Sequence, residues 1–269
     1  MVLDFTKMNG AGNDFVLMDN RERKIALSRD QIIRLCDRHC GVGADGVLLL
    51  VPCASGNADW AWQFYNSDGS TGEMCGNGAR CFSRFVQRLL GLKGGFTFET
   101  EAGVITASFQ GELVTVNLTP PGPPRLNQQV ALSTGTETIH SINTGVPHAV
   151  VFVSDADRVM LQQVGPEIRR HPHFGRKGTN VNFVQRLGPN RIRVRTFERG
   201  VEGETLACGT GVTAAALVAA RLHGFTSPVK VQVQSGGQLQ VSFKDEHGEF
   251  SEVRLTGPAE FVFTGRIEL

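Results

Sequence analysis

Two cysteines stand at the head of nearly matching short patterns. Cys75-Gly76-Asn77-Gly78-Ala79-Arg80 opens an apolar run ending near Leu90, and Cys208-Gly209-Thr210-Gly211-Val212-Thr213 opens another ending near Leu222. After the first, Ala79, Phe82, Ser83, Phe85, Val86, Leu89 and Leu90 recur with helical spacing; after the second, Ala214 to Ala220 is an almost wholly apolar helix. Each cysteine is therefore expected at a helix N-terminus. There the unpaired backbone N–H groups and the positive end of the helix dipole favour an anion. A thiol of ordinary pKa about 8.5 can be lowered into the neutral range by such a position, which makes the thiolate accessible. The adjacent glycines let a ligand approach the backbone closely, so the same turns can hold a carboxylate.

A pair of such turns points to a reaction class. A proton taken from one face of a carbon and replaced on the other needs a base and an acid on opposite sides, and a duplicated chain supplies two equivalent groups. At an amino-acid α-carbon the proton is very weakly acidic, so the carbanion-like transition state needs strong electrostatic help. Carboxylate binding at two helix N-termini offers it. Cys75 and Cys208 are thus the candidate acid/base pair. One cysteine before a glycine-rich helix start is more often a small buried hydrophobe; the pairing at equivalent positions carries the chemical reading.

The elements that must position these turns repeat as well. The cysteines are 133 residues apart (208 less 75), and Phe64-Tyr65-Asn66 precedes the first as Phe197-Glu198-Arg199 precedes the second, at the same offset. Each interval contains a glycine and a glutamate, Gly69 with Glu73 and Gly203 with Glu204. Met8-Asn9-Gly10-Ala11-Gly12 leads into Phe15 to Asp19 much as Ile142-Asn143-Thr144-Gly145 leads into Ala149 to Val153. Matches at three places in one order indicate an internal duplication. The four prolines of Thr119-Pro120-Pro121-Gly122-Pro123-Pro124 rule out regular pairing or a helix interior and mark the joint. The halves are read as 1–119 and 125–262, with a final strand of about 263–269 returning to the first. Alternating stretches at Val114–Leu118, Arg191–Arg195 and Val229–Val233 read as half-buried strands. Ser28 caps an expected helix with Ile32, Ile33, Leu35 and Cys36 on one face. Strands outnumber helices, and the turns at Gln110-Gly111-Glu112 and Ser235-Gly236-Gly237 favour antiparallel sheet. The fold class expected is α+β rather than a dinucleotide-binding α/β sheet. Gly10 and Gly12 fit no dinucleotide fingerprint, because Asn13 to Met18 after them reads as a strand.

Composition narrows the function classes. With 41% hydrophobic and 20% charged residues and a net charge of +1, the 269-residue chain has no basic field to attract nucleic acid. Met1 to Phe15 has no basic start leading into an apolar run, and no stretch reaches the roughly 18 apolar residues of a membrane span, so a cytoplasmic protein with no membrane partner is expected. Six cysteines are too sparse for a disulfide framework and are expected as reduced thiols. Cys36, His39 and Cys40, with His171 and His173, form no second cluster at zinc spacing, so no metal is expected.

Taken together, Lys7 to Phe15, Gly41-Val42-Gly43-Ala44-Asp45-Gly46, Tyr65-Asn66-Ser67-Asp68-Gly69, Cys75 to Cys81, and Phe197-Glu198-Arg199-Gly200 through Gly211 resemble the diaminopimelate epimerase family, from Lys7 to the C-terminus. The resemblance implies two pseudo-symmetric domains, each a mostly antiparallel sheet wrapped around a central helix, with the active site in the cleft between them. It implies interconversion of LL- and meso-diaminopimelate without a cofactor, on the route to lysine and peptidoglycan, with Cys75 and Cys208 exchanging the roles of base and acid. By the same resemblance the reacting carboxylate sits on the N–H groups of Gly76, Asn77, Gly209 and Thr210. Asn66, Asn180 and Arg199 are implied on the distal carboxylate; Glu198, Asn13 and the carbonyl of Arg199 on ammonium groups or in ordering the site; His148 in an orienting role. Two positions depart from the family pattern: Val146 stands where many members have Asn before Pro-His, and Gly46 where some have Gln. The partner implied is a small amino-acid substrate, and a homodimer is compatible with the sequence. The nearest rival is a two-cysteine racemase of proline or hydroxyproline, against which Glu198-Arg199 and Asn77 speak. A redox-sensing or zinc-binding cysteine pair is the rival from outside the enzymes.

Overall fold

Ser28 does cap a helix, and it shows how local sequence positions the first layer. Its hydroxyl accepts from Gln31 N–H while the Gln31 side chain accepts from Ser28 N–H, a reciprocal cap that opens α1 (Arg29–Cys36). Ile32, Leu35 and Cys36 are buried, whereas Ile33 is 41% exposed, one residue off the buried stripe. The computed structural model describes residues 1–72 and 74–269; Glu73, part of the repeat above, lies outside the described residues. Two compact units account for the chain, Met1–Asn117 with Gly257–Leu269, and Leu118–Thr256.

In the first unit β1 (Val2–Gly10) runs antiparallel to β2 (Asn13–Asp19) and to the last strand, β17 (Glu260–Glu268). Strand β2 is parallel to β3 (Gly46–Val51) across α1, and β3 is antiparallel to β4 (Trp60–Asn66). Next comes α2 (Gly76–Leu90), a crossover to β5 (Phe96–Thr100), which is parallel to β4; β6 (Gly103–Gln110) and β7 (Leu113–Asn117) follow as antiparallel hairpins. All six residues of β3 are buried, as expected of a strand covered on both faces. Val47, Leu49 and Val51 pack with Val16, Met18 and the buried face of α1. Because side chains alternate, Phe15, Leu17, Leu48 and Leu50 face the other way, where a Cβ on Gly78 of α2 would lie 3.4 Å from the Phe15 ring. On the same helix Phe82 is fully buried, with its ring 4.8 Å from Phe98 and 5.7 Å from Trp62.

The second unit repeats this connectivity. β8 (Arg125–Leu132), β9 (Gly135–Asn143) and β10 (Pro147–Val153) are successive antiparallel strands, and β10 is parallel to β11 (Asn180–Gly188) across α3 (Leu161–Arg170). β12 (Arg191–Glu198) is antiparallel to β11 and carries the short β13 (Gly203–Thr205). After α4 (Gly209–His223), β14 (Val229–Gln232) lies parallel to β12, then β15 (Gln238–Glu246) and β16 (Glu249–Pro258) close in antiparallel order. Antiparallel ladders therefore dominate, and the parallel pairs occur where a helix must cross over. α2 and α4 each have 15 residues and start 133 apart; each ends on a left-handed glycine, Gly91 at φ 63° and Gly224 at φ 64°, the conformation that releases the chain from a helix at little cost. α4 is buried from Val212 to Ala219, so its alanines set how closely the strands of that unit approach it. No helix among the described residues is long and apolar enough to cross a membrane.

Candidate active site

Cys75 is the N-cap of α2 and Cys208 the N-cap of α4, both extended, at φ −139° and −116°. Cys75 Sγ accepts from Gly78 N–H at 3.4 Å; Cys208 Sγ lies 3.6 Å from Thr210 Oγ1. The other buried thiols are different in kind. Burial pushes Cys36 and Cys81 up to about 12, where they are inert. Cys36 belongs to the core under α1, while Asp37 Oδ1 accepts from the N–H groups of His39 and Cys40, a turn closed by its own carboxylate.

In the first unit the register aligns Phe15 with Gly46 and Gly46 with Asn66, which puts Asn13 and Asn66 at one end of β2, β3 and β4. The head of α2 is joined to that end. Asn77 Nδ2 donates to Asn13 Oδ1, and Asn13 Nδ2 donates to Asp45 Oδ2 at 3.0 Å. Behind Asn13, Arg38 bridges Asp14 and Asp45, and Lys7 Nζ lies 2.8 Å from Asp14 Oδ2. Burial alone would raise the Asp14 carboxyl, but the hydrogen bonds and charges of Arg38 and Lys7 overcome it and hold it at about 2. Asn13 is thus oriented by Asp45, which Arg38 ties to the ionised Asp14. Asn66 Nδ2 donates to Ser70 Oγ at 3.0 Å within its own turn. A Cβ on Gly10 would lie 2.8 Å from the Asn77 carbonyl oxygen, so only glycine lets β1 pass this close to the first turn of α2.

In the second unit His148 pairs with Asn180 across β10 and β11, and Val181 with Phe197 across β11 and β12, bringing His148, Asn180, Glu198 and Arg199 to one end. Asn180 Oδ1 accepts from Arg199 N–H at 2.8 Å while its Nδ2 donates to the Pro147 carbonyl, so this amide ties the ends of β10 and β12. Glu198 Oε2 accepts from Thr205 Oγ1 at 2.8 Å. Thr144 Oγ1 donates to the Thr210 carbonyl at 2.9 Å and anchors the first turn of α4 to the loop after β9. Each unit thus gathers its own share of the expected residues: Asn13, Asn66, Cys75, Gly76 and Asn77 in the first, the rest in the second.

His148 is fully buried, and burial, helped by the positive charge of Arg199, lowers its pKa to about 3. Asn182 Nδ2 donates to His148 Nδ1 at 3.1 Å and to the Ala149 carbonyl, while Thr196 Oγ1 donates to Asn182 Oδ1. The neutral ring therefore carries its hydrogen on Nε2, which has no partner among the described residues. Unfolded, the ring titrates near pH 6.5, so between about 6.5 and 3 the unfolded chain binds the extra proton and stability falls as pH drops. Urea midpoints of the parent and His148→Gln at about pH 7 and pH 4 check this: the variant is expected to lose less stability on acidification, and equal losses would refute it.

Asn182, Thr144, Thr205 and Arg80 are contacts that sequence reasoning missed, since each acts from behind a residue expected in the site: His148, Thr210, Glu198, and Gly76 with Asn77. Gly211 records one of them. A Cβ there would lie 2.3 Å from Asn182 Oδ1 and 3.3 Å from Cys208 Cβ. Gly211→Ala is expected to cost about 1–3 kcal/mol of stability by overpacking and to slow turnover about tenfold by displacing the Cys208 turn. Urea melts and steady-state rates measure both.

A duplicated α+β fold with a cysteine heading the central helix of each unit defines a structural class, and solved structures share the fold over the whole chain. A phenazine biosynthesis protein of the PhzF family from Bacillus anthracis matches with TM-score 0.77 at 15% identity, covering 100% of both chains. A hydroxyproline epimerase from Agrobacterium vitis matches with TM-score 0.73 at 17% identity, covering 99% of this chain and 92% of that one. At these identities the likeness concerns the fold. Sequence is more specific: the family model for diaminopimelate epimerase matches residues 5–122 and 140–262. The chain is 45% identical to the diaminopimelate epimerase of Aquifex aeolicus over 98% of each chain, and 42% identical to that of Chlorobaculum tepidum over 97% of this chain and 100% of the other. It belongs to the diaminopimelate epimerase family.

Proposed function

We propose that this chain interconverts LL- and meso-diaminopimelate by two-base proton transfer at the α-carbon. The observation that carries the reading is the placement of Cys75 and Cys208 as N-caps of equivalent 15-residue helices in a chain of this family. One sulfur, as thiolate, takes the α-proton as the C–H bond breaks, and the electron pair is delocalised into the α-carboxylate. The other, as thiol, gives its proton to the opposite face. The sulfurs end with their protonation states exchanged, ready for the reverse direction.

In this scheme the reacting carboxylate rests on the backbone N–H groups of Gly76, Asn77, Gly209 and Thr210, whose dipoles stabilise the charge that grows on it. Asn66, Asn180 and Arg199 hold the distal carboxylate, and a guanidinium fork suits that planar anion. Asn13, Glu198 and the Arg199 carbonyl hold ammonium groups, and His148, neutral with a hydrogen on Nε2, orients the site. The product feeds lysine and peptidoglycan precursor synthesis, in the cytoplasm, and sedimentation tests whether the working form is a homodimer.

Turnover of LL-diaminopimelate followed by circular dichroism, beside L-proline and trans-4-hydroxy-L-proline, tests the assignment. The signal is expected to change with diaminopimelate alone. A change with a proline substrate alone would transfer the chain to the racemases that share its fold.

A further inference from the structure

We infer that the buried guanidinium of Arg80 makes Cys75, and not Cys208, the thiolate of the resting protein. This rests on the two-cysteine reading above and assigns unequal starting roles to two groups that the repeat makes look equivalent.

Arg80 is the largest fully buried side chain among the described residues, at 0% exposure. Its Nη1 donates to the Gly76 carbonyl at 3.0 Å, its Nη2 to Asn77 Oδ1 at 2.9 Å and to the Gly10 carbonyl at 3.3 Å, and its Nε to the Pro258 carbonyl at 3.3 Å. Every acceptor is a neutral oxygen, and among the described residues no carboxylate pairs with it. A buried cation without a counter-ion is unfavourable unless a negative charge forms beside it. The sulfurs of Cys75 and Cys81 are the groups whose charge acts on it. Burial lowers Arg80 only to about 10, so it is a cation at neutral pH, and the neighbouring Cys81, pushed up to about 12, stays a thiol. That leaves Cys75.

The second unit supplies the control. Thr213 stands five residues after Cys208, as Arg80 stands five after Cys75, and Thr213 Oγ1 donates to the Gly209 carbonyl at 2.9 Å. The hydrogen bond to the first-turn carbonyl is kept in both units, but the charge is present in one. Cys208 is also buried, at 7% exposure, while Cys75 is half-buried, and desolvation favours the neutral thiol. Among the described residues, the other charged groups that act on the neighbouring Cys81 of α2 are Asp14 on β2, paired with Lys7 of β1 and with Arg38, and Glu260 on β17. In the second unit Glu198 and Arg199, of opposite sign, stand at the close of β12, and the Arg199 charge helps burial keep His148 of β10 neutral.

The test titrates the full-length protein, without ligand, by ultraviolet thiolate absorbance, taking the differences between the parent and Cys75→Ala and between the parent and Cys208→Ala. The Cys75 midpoint is expected about one pH unit or more below that of Cys208, a tenfold difference in thiolate fraction. Arg80→Met is expected to raise the Cys75 midpoint by about one unit and leave that of Cys208 in place, and Arg80→Lys to restore it. A lower midpoint for Cys208 in the parent overturns the inference, and so does an Arg80→Met that folds and moves neither midpoint or both alike. If Arg80→Met does not fold, the parent's order of midpoints and Arg80→Lys still decide. Diaminopimelate turnover by the parent separates the two readings. Turnover with reversed midpoints sinks this inference alone, and the expected midpoints without turnover sink the proposed reaction alone.

Discussion

Cys75→Ala and Cys208→Ala are each expected to slow epimerisation about a thousandfold or more, in both directions, because a positioned acid or base contributes about 10²–10⁴-fold and each sulfur must serve once per turnover. Loss of either leaves one face of the carbon without a proton donor or acceptor. The fold should survive. Cys75 gives up a weak cap from Gly78 N–H, worth about 1 kcal/mol, and Cys208 gives up a long contact with Thr210 Oγ1 at a helix start. Circular dichroism of diaminopimelate gives the rate, and urea melts show that folding is intact. A single variant with more than about a tenth of the parent rate would contradict the two-sulfur scheme.

Arg199→Met is expected to raise the KM for diaminopimelate about a hundredfold and to lower kcat less, since removing one partner of a desolvated charge pair costs about 2–5 kcal/mol. The backbone of Arg199 is fixed by Asn180, so its side chain starts from a defined point at the end of β12. Arg199→Lys should recover little, because an ammonium cannot match the two parallel hydrogen bonds of the guanidinium fork. An unchanged KM in either variant would remove Arg199 from the distal carboxylate.

These two expectations divide along the internal repeat. The cysteines and the glycines after them recur at an offset of 133 and serve a chemistry that is itself symmetric. Asn66 and Arg199 occupy equivalent positions with different side chains, as do Arg80 and Thr213. In the proposed reaction these differences fall where the halves must be unequal: at the end of the substrate that does not react, and at the sulfur that starts charged.

Much of this was legible in the sequence because it depends on local rules. The starts of α2 and α4, the cap at Ser28, and the turns at Gly111 and Gly236 follow from spacing and turn chemistry. α3 was not legible, since it contains Gly165 and Pro166 and begins at Met160 without a side-chain cap. It forms because of what it packs on: a Cβ on Gly165 would lie 2.8 Å from the Phe197 ring. Arg80 stands in the Cys75 motif, but an arginine near a helix start ordinarily reads as solvated, and only the fold reveals that β1 and the last residue of β16 cover it. Asn182 is likewise a polar strand residue whose partners, His148 and Ala149, lie 34 and 33 residues away along the chain.

The central claim is that separate groups deprotonate and reprotonate one carbon. The most direct test follows deuterium into LL-diaminopimelate and meso-diaminopimelate at early times in heavy water, in each direction. The account predicts that product carries solvent deuterium at the inverted carbon while unreacted substrate remains unlabelled. Label appearing equally in substrate and product, as one shared base would give, would contradict it.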